Sequence, residues 1–241
     1  GLYPQENVLE IEAGAVLAEV QALAEGAGRV FPLTLASQGS ARIGGLLATN
    51  AGGVNVLRYG NTRDLVLGLE AVLPDGSVLH GLKRLRKDNT GYDLRHLLIG
   101  SEGSLGIITA ASLKLHPRPA AEGAAFFAVA DPAAALRLLS LAEERLPGMV
   151  SAFELIHRQS LAFLAETLPQ VRQPPPEPGG EQDFVELRRM ARHAVAEIDG
   201  PRQAARIAEG AVLQPGQEAG DPPDHQAEEN GKDEGIAGRS E

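Results

Sequence analysis

The residues of this chain best suited to chemistry are glycines, because a backbone without Cβ atoms lets the main chain touch a ligand. Ser37 to Gly53, SQGSARIGGLLATNAGG, holds five glycines in seventeen residues, with Gly44-Gly45 and Gly52-Gly53 as pairs. Successive amides in such turns form concave nests that suit phosphate oxygens. Ser40, Thr49 and Asn50 can add side-chain hydrogen bonds. A glycine-rich surface loop is the alternative reading, and Leu46 and Leu47 between the pairs argue against it.

A second cluster, GSEGSLGIIT from Gly100 to Thr109, carries Gly100, Gly103 and Gly106. A dinucleotide fingerprint needs a strand before its glycines and a helix after them. Here Tyr92 to Ile99 reads as a short helix and Leu105 to Leu115 as a strand, the reverse order, which argues against a Rossmann reading. The six histidines, His80, His96, His116, His157, His193 and His225, show no H-x-H or H-x-x-x-H spacing, so no metal ligands are assigned. His157 is the nearest candidate by location for a catalytic role; a helix-start histidine is the competing reading.

Four blocks in order, IGGLLATNAGG, RYGNTRDLVLGLEAVLPDG, RKDNTGYDL and GSEGSLGIIT, carry a resemblance. They resemble the FAD-binding domain of the vanillyl-alcohol oxidase / p-cresol methylhydroxylase (PCMH) family, in its branch of D-2-hydroxyacid dehydrogenases. The likeness is dense from Val8 to Pro119 and thinner to Leu168. It implies FAD as cofactor, bound by Pro32, Gly39, Ser40, Ile43, Gly44, Gly45, Thr49, Asn50 and Gly53, with Glu102, Gly103, Gly106, Ile107 and Ile108 completing the wall. It implies an FAD-linked oxidoreductase that oxidises a small-molecule 2-hydroxyacid, such as D-lactate, glycolate or D-2-hydroxyglutarate, by hydride transfer to flavin. Electrons would pass on to an acceptor or a partner subunit. The catalytic base stays unknown, because the family places its histidine motif late in a cap of which this chain shows the opening. The family's first glycine-rich loop belongs before Asn7 and is not in the sequence. The chain is therefore expected to be a fragment, catalytically incompetent by itself; the rival expectation is a non-catalytic remnant that packs against a partner.

These glycines must be held by regular elements. Asn7 to Glu12 alternates and predicts a strand. Ala15 to Glu25 predicts a helix with a stripe at Val16, Val20 and Leu23, stopped by Gly26 and Gly28. Leu65 to Leu73 and Ser77 to Leu82 predict a hairpin about Pro74-Asp75-Gly76. Lys87, Asp88 and Asn89 brace the flavin loops or face the substrate, as the resemblance implies, or form a solvated turn with Asp88 or Asn89 capping a helix. Arg58 and Tyr59 are either an active-site edge or a surface pair.

Pro117 and Pro119 close the first unit. Then Ala124 to Val129, Pro132 to Arg145, Val150 to Ile156 and Arg158 to Leu168 read as strand, helix, strand and helix, with Leu136, Leu139 and Ala142 as the first helix's buried positions. The resulting expectation is an α+β chain. Residues 1–119 form the second half of a PCMH-type FAD domain, 120–172 begin an α/β, ferredoxin-like cap, and 173–241 are a largely disordered acidic tail. That last stretch holds eight of the 16 prolines and a net charge of −8 within a total of −10. Such a composition buries too little apolar surface to offset chain entropy. Phe184 to Ile198 reads as one amphipathic helix within it.

Composition excludes several classes. Cysteine is absent, so no disulfide or thiolate chemistry is available. Neither half supplies a basic footprint for nucleic acid. No apolar run reaches the ~18 residues of a membrane span, and no signal-peptide pattern is seen, so a cytoplasmic protein is expected.

Overall fold

The computed structural model describes residues 1–171 and 183–191, the second stretch as backbone apart from Val185. Two strands open the chain, β1 (Leu2–Tyr3) and β2 (Val8–Glu12). α1 (Leu17–Gly26) follows and buries Leu17, Val20 and Ala24. The predicted stripe of Val16, Val20 and Leu23 is thus shifted. Val16 stays extended because it bridges Arg42, so the helix begins later and Leu23 faces out. Gly28, at φ 66°, reverses the chain into β3 (Arg29–Val30).

The glycine-rich stretch forms two short helices, α2 (Ile43–Ala48) and α3 (Val56–Tyr59). A 3-10 turn, Thr62–Leu65, leads into β4 (Val66–Val72), and the predicted hairpin returns as β5 (Val78–Gly81). Its turn is closed by Asp75, whose Oδ1 accepts from the Ser77 amide and hydroxyl at 3.0 and 2.6 Å. α4 (Leu94–Leu98), β6 (Ile107–Lys114) and β7 (His116–Pro117) complete the first unit. The second glycine cluster therefore joins a helix to a strand, as its sequence predicts.

The main sheet is antiparallel in the order β1-β2-β6-β4-β5, and β3 pairs separately with β7. Leu69, Ala71 and Leu113 from the sheet pack with Leu17 and Val20 of α1 and Ile43 and Leu47 of α2 in one core. On leaving β5 the chain crosses directly over Gly68: a Cβ there would lie 2.3 Å from the Lys83 nitrogen and 2.4 Å from the Gly81 oxygen.

The second unit runs β8 (Ala121–Val129), α5 (Pro132–Arg145), β9 (Val150–Ile156), α6 (Arg158–Thr167) and β10 (Asp183–Ala191). α5 starts where a helix should: Asp131 caps the Ala134 amide at 2.6 Å and Pro132 fills the first turn. Its buried residues are Ala135, Leu138 and Ala142, while Leu136 is 65% exposed. Ala142 is buried as predicted, whereas Ala135 and Leu138 take the places expected for Leu136 and Leu139, one residue earlier.

The sheet order β8-β10-β9 corrects a larger expectation. Residues 183–191, which overlap the stretch predicted as a helix from Phe184 to Ile198, are the central strand. β8 and β9 do not pair with each other, so their open edges offer hydrogen bonds on both sides of a third strand. That demand outweighs the local amphipathic pattern. The rest of the predicted disordered tail lies outside the described residues.

Candidate functional site

Three of the four sequence blocks, the two glycine clusters and the one holding Thr62 and Arg63, meet at the C-terminal end of α2. Ile43, Leu46 and Leu47 are its buried face. Gly44 faces the turn after β2, where a Cβ would meet the Ala13 side chain at 2.8 Å, and its amide donates to the Ala13 carbonyl at 2.8 Å. The Ile43 amide donates to Ala15 at 3.0 Å. Gly44 is therefore a close-packing residue whose amide is spent inside the protein; the nest expected there does not form.

Thr49 and Asn50 end the helix. Asn50 adopts φ 49°, its amide donates to Leu47 at 3.1 Å, and the Ala51 amide donates to Leu46 at 2.9 Å. This is a Schellman end with asparagine in the left-handed place usually taken by glycine. The Thr49 hydroxyl donates back to the Gly45 carbonyl at 2.9 Å.

Helix ends leave carbonyls unmet, and here the second glycine cluster meets them. The Gly100 amide donates to Leu47 and the Glu102 amide to Ala48, both at 3.0 Å. Gly100, Glu102 and Gly103 take φ of 84°, 52° and 79° to bring this about. Arg63 fastens the join: its amide donates to Asn50 Oδ1 at 2.9 Å, and its guanidinium donates to the carbonyls of His96 and, at 2.6 Å, Ile99. The Thr62 amide and hydroxyl both donate to Ala51, at 2.9 and 2.6 Å.

The candidate cofactor residues thus divide. Gly39, Ser40, Gly45, Thr49, Glu102, Gly103 and Ile107 are exposed; Pro32, Ile43, Gly106 and Ile108 are buried, and Gly44, Asn50 and Gly53 lie between. Ile43 and Ile108 belong to the core and support the surface from behind. Gly106 is required by packing, since a Cβ would fall 2.8 Å from the Val72 oxygen. Gly53, at φ 72°, brings the chain against Thr34, whose oxygen would lie 2.5 Å from a Cβ. Ser40 closes a turn by donating its amide to Ser37 at 2.9 Å.

What remains is a bare rim. A Cβ on Gly39 or Gly45 would meet nothing within 4 Å, and on Gly103 nothing nearer than Ile107 Cδ1 at 3.9 Å. Ile107 is 64% exposed. Open backbone beside an exposed apolar side chain suits a ligand with both a polar phosphate stem and a flat apolar ring.

Two residues that hold the site were not among its candidate residues. Arg63 is one. Asn55, 8% exposed, is the other: its Nδ2 donates to the Pro32 carbonyl at 3.0 Å and to Thr34 Oγ1 at 3.2 Å, tying the end of the glycine segment to the strand-like run before it. Pro32, Thr34 and Asn55 also border a cleft of about 260 Å³ with Gln21 and Arg29. The polar residue within GGVN was the available signal.

The ambiguous residues resolve structurally. Asp88 closes its own loop, accepting from Lys83 Nζ at 2.6 Å and from the Thr90 amide at 3.2 Å; these hydrogen bonds pull its carboxyl from 3.8 to about 2. The helix cap is instead Asp93, which accepts from the His96 amide at 3.1 Å. His157 is the N-cap of α6, its Nδ1 accepting from the Gln159 amide at 3.2 Å. Arg58 stacks on Tyr59 at 5.2 Å, within α3, which lies against β9. Burial, then the Arg95 charge, lowers the pKa of His96. Among the described residues no three His, Cys, Asp or Glu side chains group as metal ligands.

Residues 2–81 match a family described as an FAD binding domain. A solved alkyldihydroxyacetonephosphate synthase superposes with a TM-score of 0.63 at 22% identity, over 79% of this chain and 36% of that one, which speaks to fold alone. Residues 2–81 are thus part of an FAD binding domain of the PCMH type, and FAD is the cofactor of that domain. The chain has D-2-hydroxyacid dehydrogenases among its relatives. It is 45% identical to the mitochondrial D-2-hydroxyglutarate dehydrogenase of Arabidopsis thaliana over 70% of its length and 47% identical to that of Bos taurus over 66%. It is 39% identical to a D-2-hydroxyglutarate–pyruvate transhydrogenase of Saccharomyces cerevisiae over 68% of its length. The chain spans 30%, 29% and 33% of those three relatives.

The mitochondrial names of these dehydrogenases overturn the expectation of a cytoplasmic protein, which rested on the lack of a targeting pattern in the sequence. Among the described residues no helix is long and apolar enough to cross a membrane.

Proposed function

We propose that this chain is part of an FAD-dependent dehydrogenase that oxidises a D-2-hydroxyacid, D-2-hydroxyglutarate or D-lactate, to the 2-oxoacid. The observation that carries this is the rim at the end of α2, where both glycine clusters meet and leave open backbone at Gly45 and Gly103 beside Ile107. Gly39, Ser40, Gly45, Thr49, Glu102, Gly103 and Ile107 would touch FAD, while Pro32, Ile43, Gly44, Asn50, Gly53, Gly106 and Ile108 would shape the wall behind them. Bound FAD supplies the acceptor for the hydride leaving the substrate α-carbon.

The chain's own contribution is to hold that rim rigid. Arg63 and the Schellman end fix the spacing between the two clusters, and rigid placement is what hydride transfer over ~3–3.5 Å requires. Residues 1–119 would form this part of the flavin domain, with the substrate-facing cap starting at 120. An outside electron acceptor or partner subunit completes the cycle.

The test is whether protein carrying this chain takes up FAD, and whether D-2-hydroxyglutarate or D-lactate then bleaches the flavin absorbance. Uptake with no bleaching by any 2-hydroxyacid would remove the substrate half of the reading. No uptake would remove the rim.

A further inference from the structure

Against a net charge of −10, residues 83–95 hold the cations Lys83, Arg84, Arg86, Lys87 and Arg95 with two carboxylates, Asp88 and Asp93. Several are paired: Lys83 meets Asp88 at 2.6 Å, Arg84 meets Glu6 at 2.8 Å and Arg95 meets Asp93 at 2.6 Å. Among the described residues, neither Arg86 nor Lys114 at the end of β6 has a carboxylate within the 4.0 Å of an ion pair.

These two and Arg95 share one place. Lys114 Nζ donates to the Asp64 carbonyl at 2.5 Å and Arg95 Nη1 to the Val66 carbonyl at 2.6 Å. Those carbonyls are two residues apart, within about 7 Å. Arg86 Nη2 reaches the Glu6 carbonyl at 3.5 Å, and Glu6 lies two residues before Val8, which stands opposite Lys114 in the sheet. Burial, then the charges of Arg86 and Arg95, lower the pKa of Lys114, with Asp64 opposing more weakly. The Asp64 carboxylate is itself engaged by the Asn61 amide at 2.9 Å. A partly buried ammonium between guanidiniums lacks counter-charge.

We propose that Lys114 and Arg86, with the Arg95–Asp93 pair beside them, bind a small oxyanion, a phosphate or carboxylate group of a soluble ligand, where β6 ends and β4 begins. The Arg86 fork fits such a group in two-point contact, and the ammonium keeps donors beyond the one given to Asp64; Arg95, whose own fork holds Asp93 at 3.2 and 2.6 Å, adds positive charge beside them. The place is distinct from the flavin rim. Ile107 and Lys114 are opposite ends of β6, about 24 Å apart at ~3.4 Å per residue.

Competitive amine labelling of the intact chain tests this without altering it, at constant ionic strength, with inorganic phosphate in one arm and glutarate in the other. Saturating ligand should slow labelling of Lys114 roughly tenfold while Lys83 and Lys87 react as before. Protection by phosphate alone assigns a phosphoryl ligand; protection by glutarate alone assigns a carboxylate. Arg86→Gln should weaken the protective anion roughly tenfold, the worth of one charge-assisted hydrogen bond. Unchanged Lys114 labelling in both arms, or equal slowing at all three lysines, would overturn the site.

Discussion

Two adjacent glycines separate packing from binding. At Gly44 an added methyl meets Ala13 at 2.8 Å, so Gly44→Ala should cost ~1–3 kcal/mol, read as a lower urea midpoint. At Gly45 the same methyl meets nothing within 4 Å, and alanine is the better helix former by ~1 kcal/mol. Gly45→Ala should hold or raise stability, and Gly45→Val should fold yet bind FAD more weakly in a fluorescence titration. Equal FAD affinity in Gly45→Val and the parent chain would remove Gly45 from the rim. Asp88 yields a pH prediction. Its carboxyl titrates at about 2 instead of 3.8, a folded value below the unfolded one. The loop contacts it makes should be complete above about pH 4 and lost as pH falls through about 2, visible as loss of the slowed exchange of the Thr90 amide. A carboxyl titrating at 3.8 would show the Lys83 and Thr90 contacts to be absent in solution.

Elements depend on ties that join distant positions. Arg63 binds carbonyls 33 and 36 residues ahead and through its amide reaches 13 residues back. Arg63→Leu should therefore cost ~1–3 kcal/mol, by leaving the part-buried Ile99 carbonyl without its donor, and should speed hydrogen exchange at Gly100 and Glu102 before the rest of the sheet. This is also where sequence reading stopped. Periodicity and caps gave Pro132–Arg145 and Val150–Ile156 at their observed bounds, because proline, aspartate and alternation act within a few residues. It could not show that Gly44 packs on Ala13 or that Asn50 ends a helix, since both depend on which distant backbone arrives there. The rim was legible as a set of small residues; its division into exposed backbone and buried support was not. The same limit explains the helix expected at Phe184, where two open strand edges decide the conformation.

At the scale of the molecule, the two larger sheets differ in how they are completed. The first gains all its strands from residues 2–114, each next to its partners within one continuous core. The second needs β10 between β8 and β9, with Val185 fully buried among Val129, Ala135 and Leu138. A chain ending at residue 172 would keep α5 and both outer strands but leave two facing edges unpaired, and exposed edges seek other chains. Such a truncation should lose hydrogen-exchange protection across β8 and β9 and associate at micromolar concentration, while β2, β4 and β6 stay protected. Retained protection in β8 and β9 without residues 183–191 would show that the second sheet closes by direct pairing, and that β10 is an addition and not its centre.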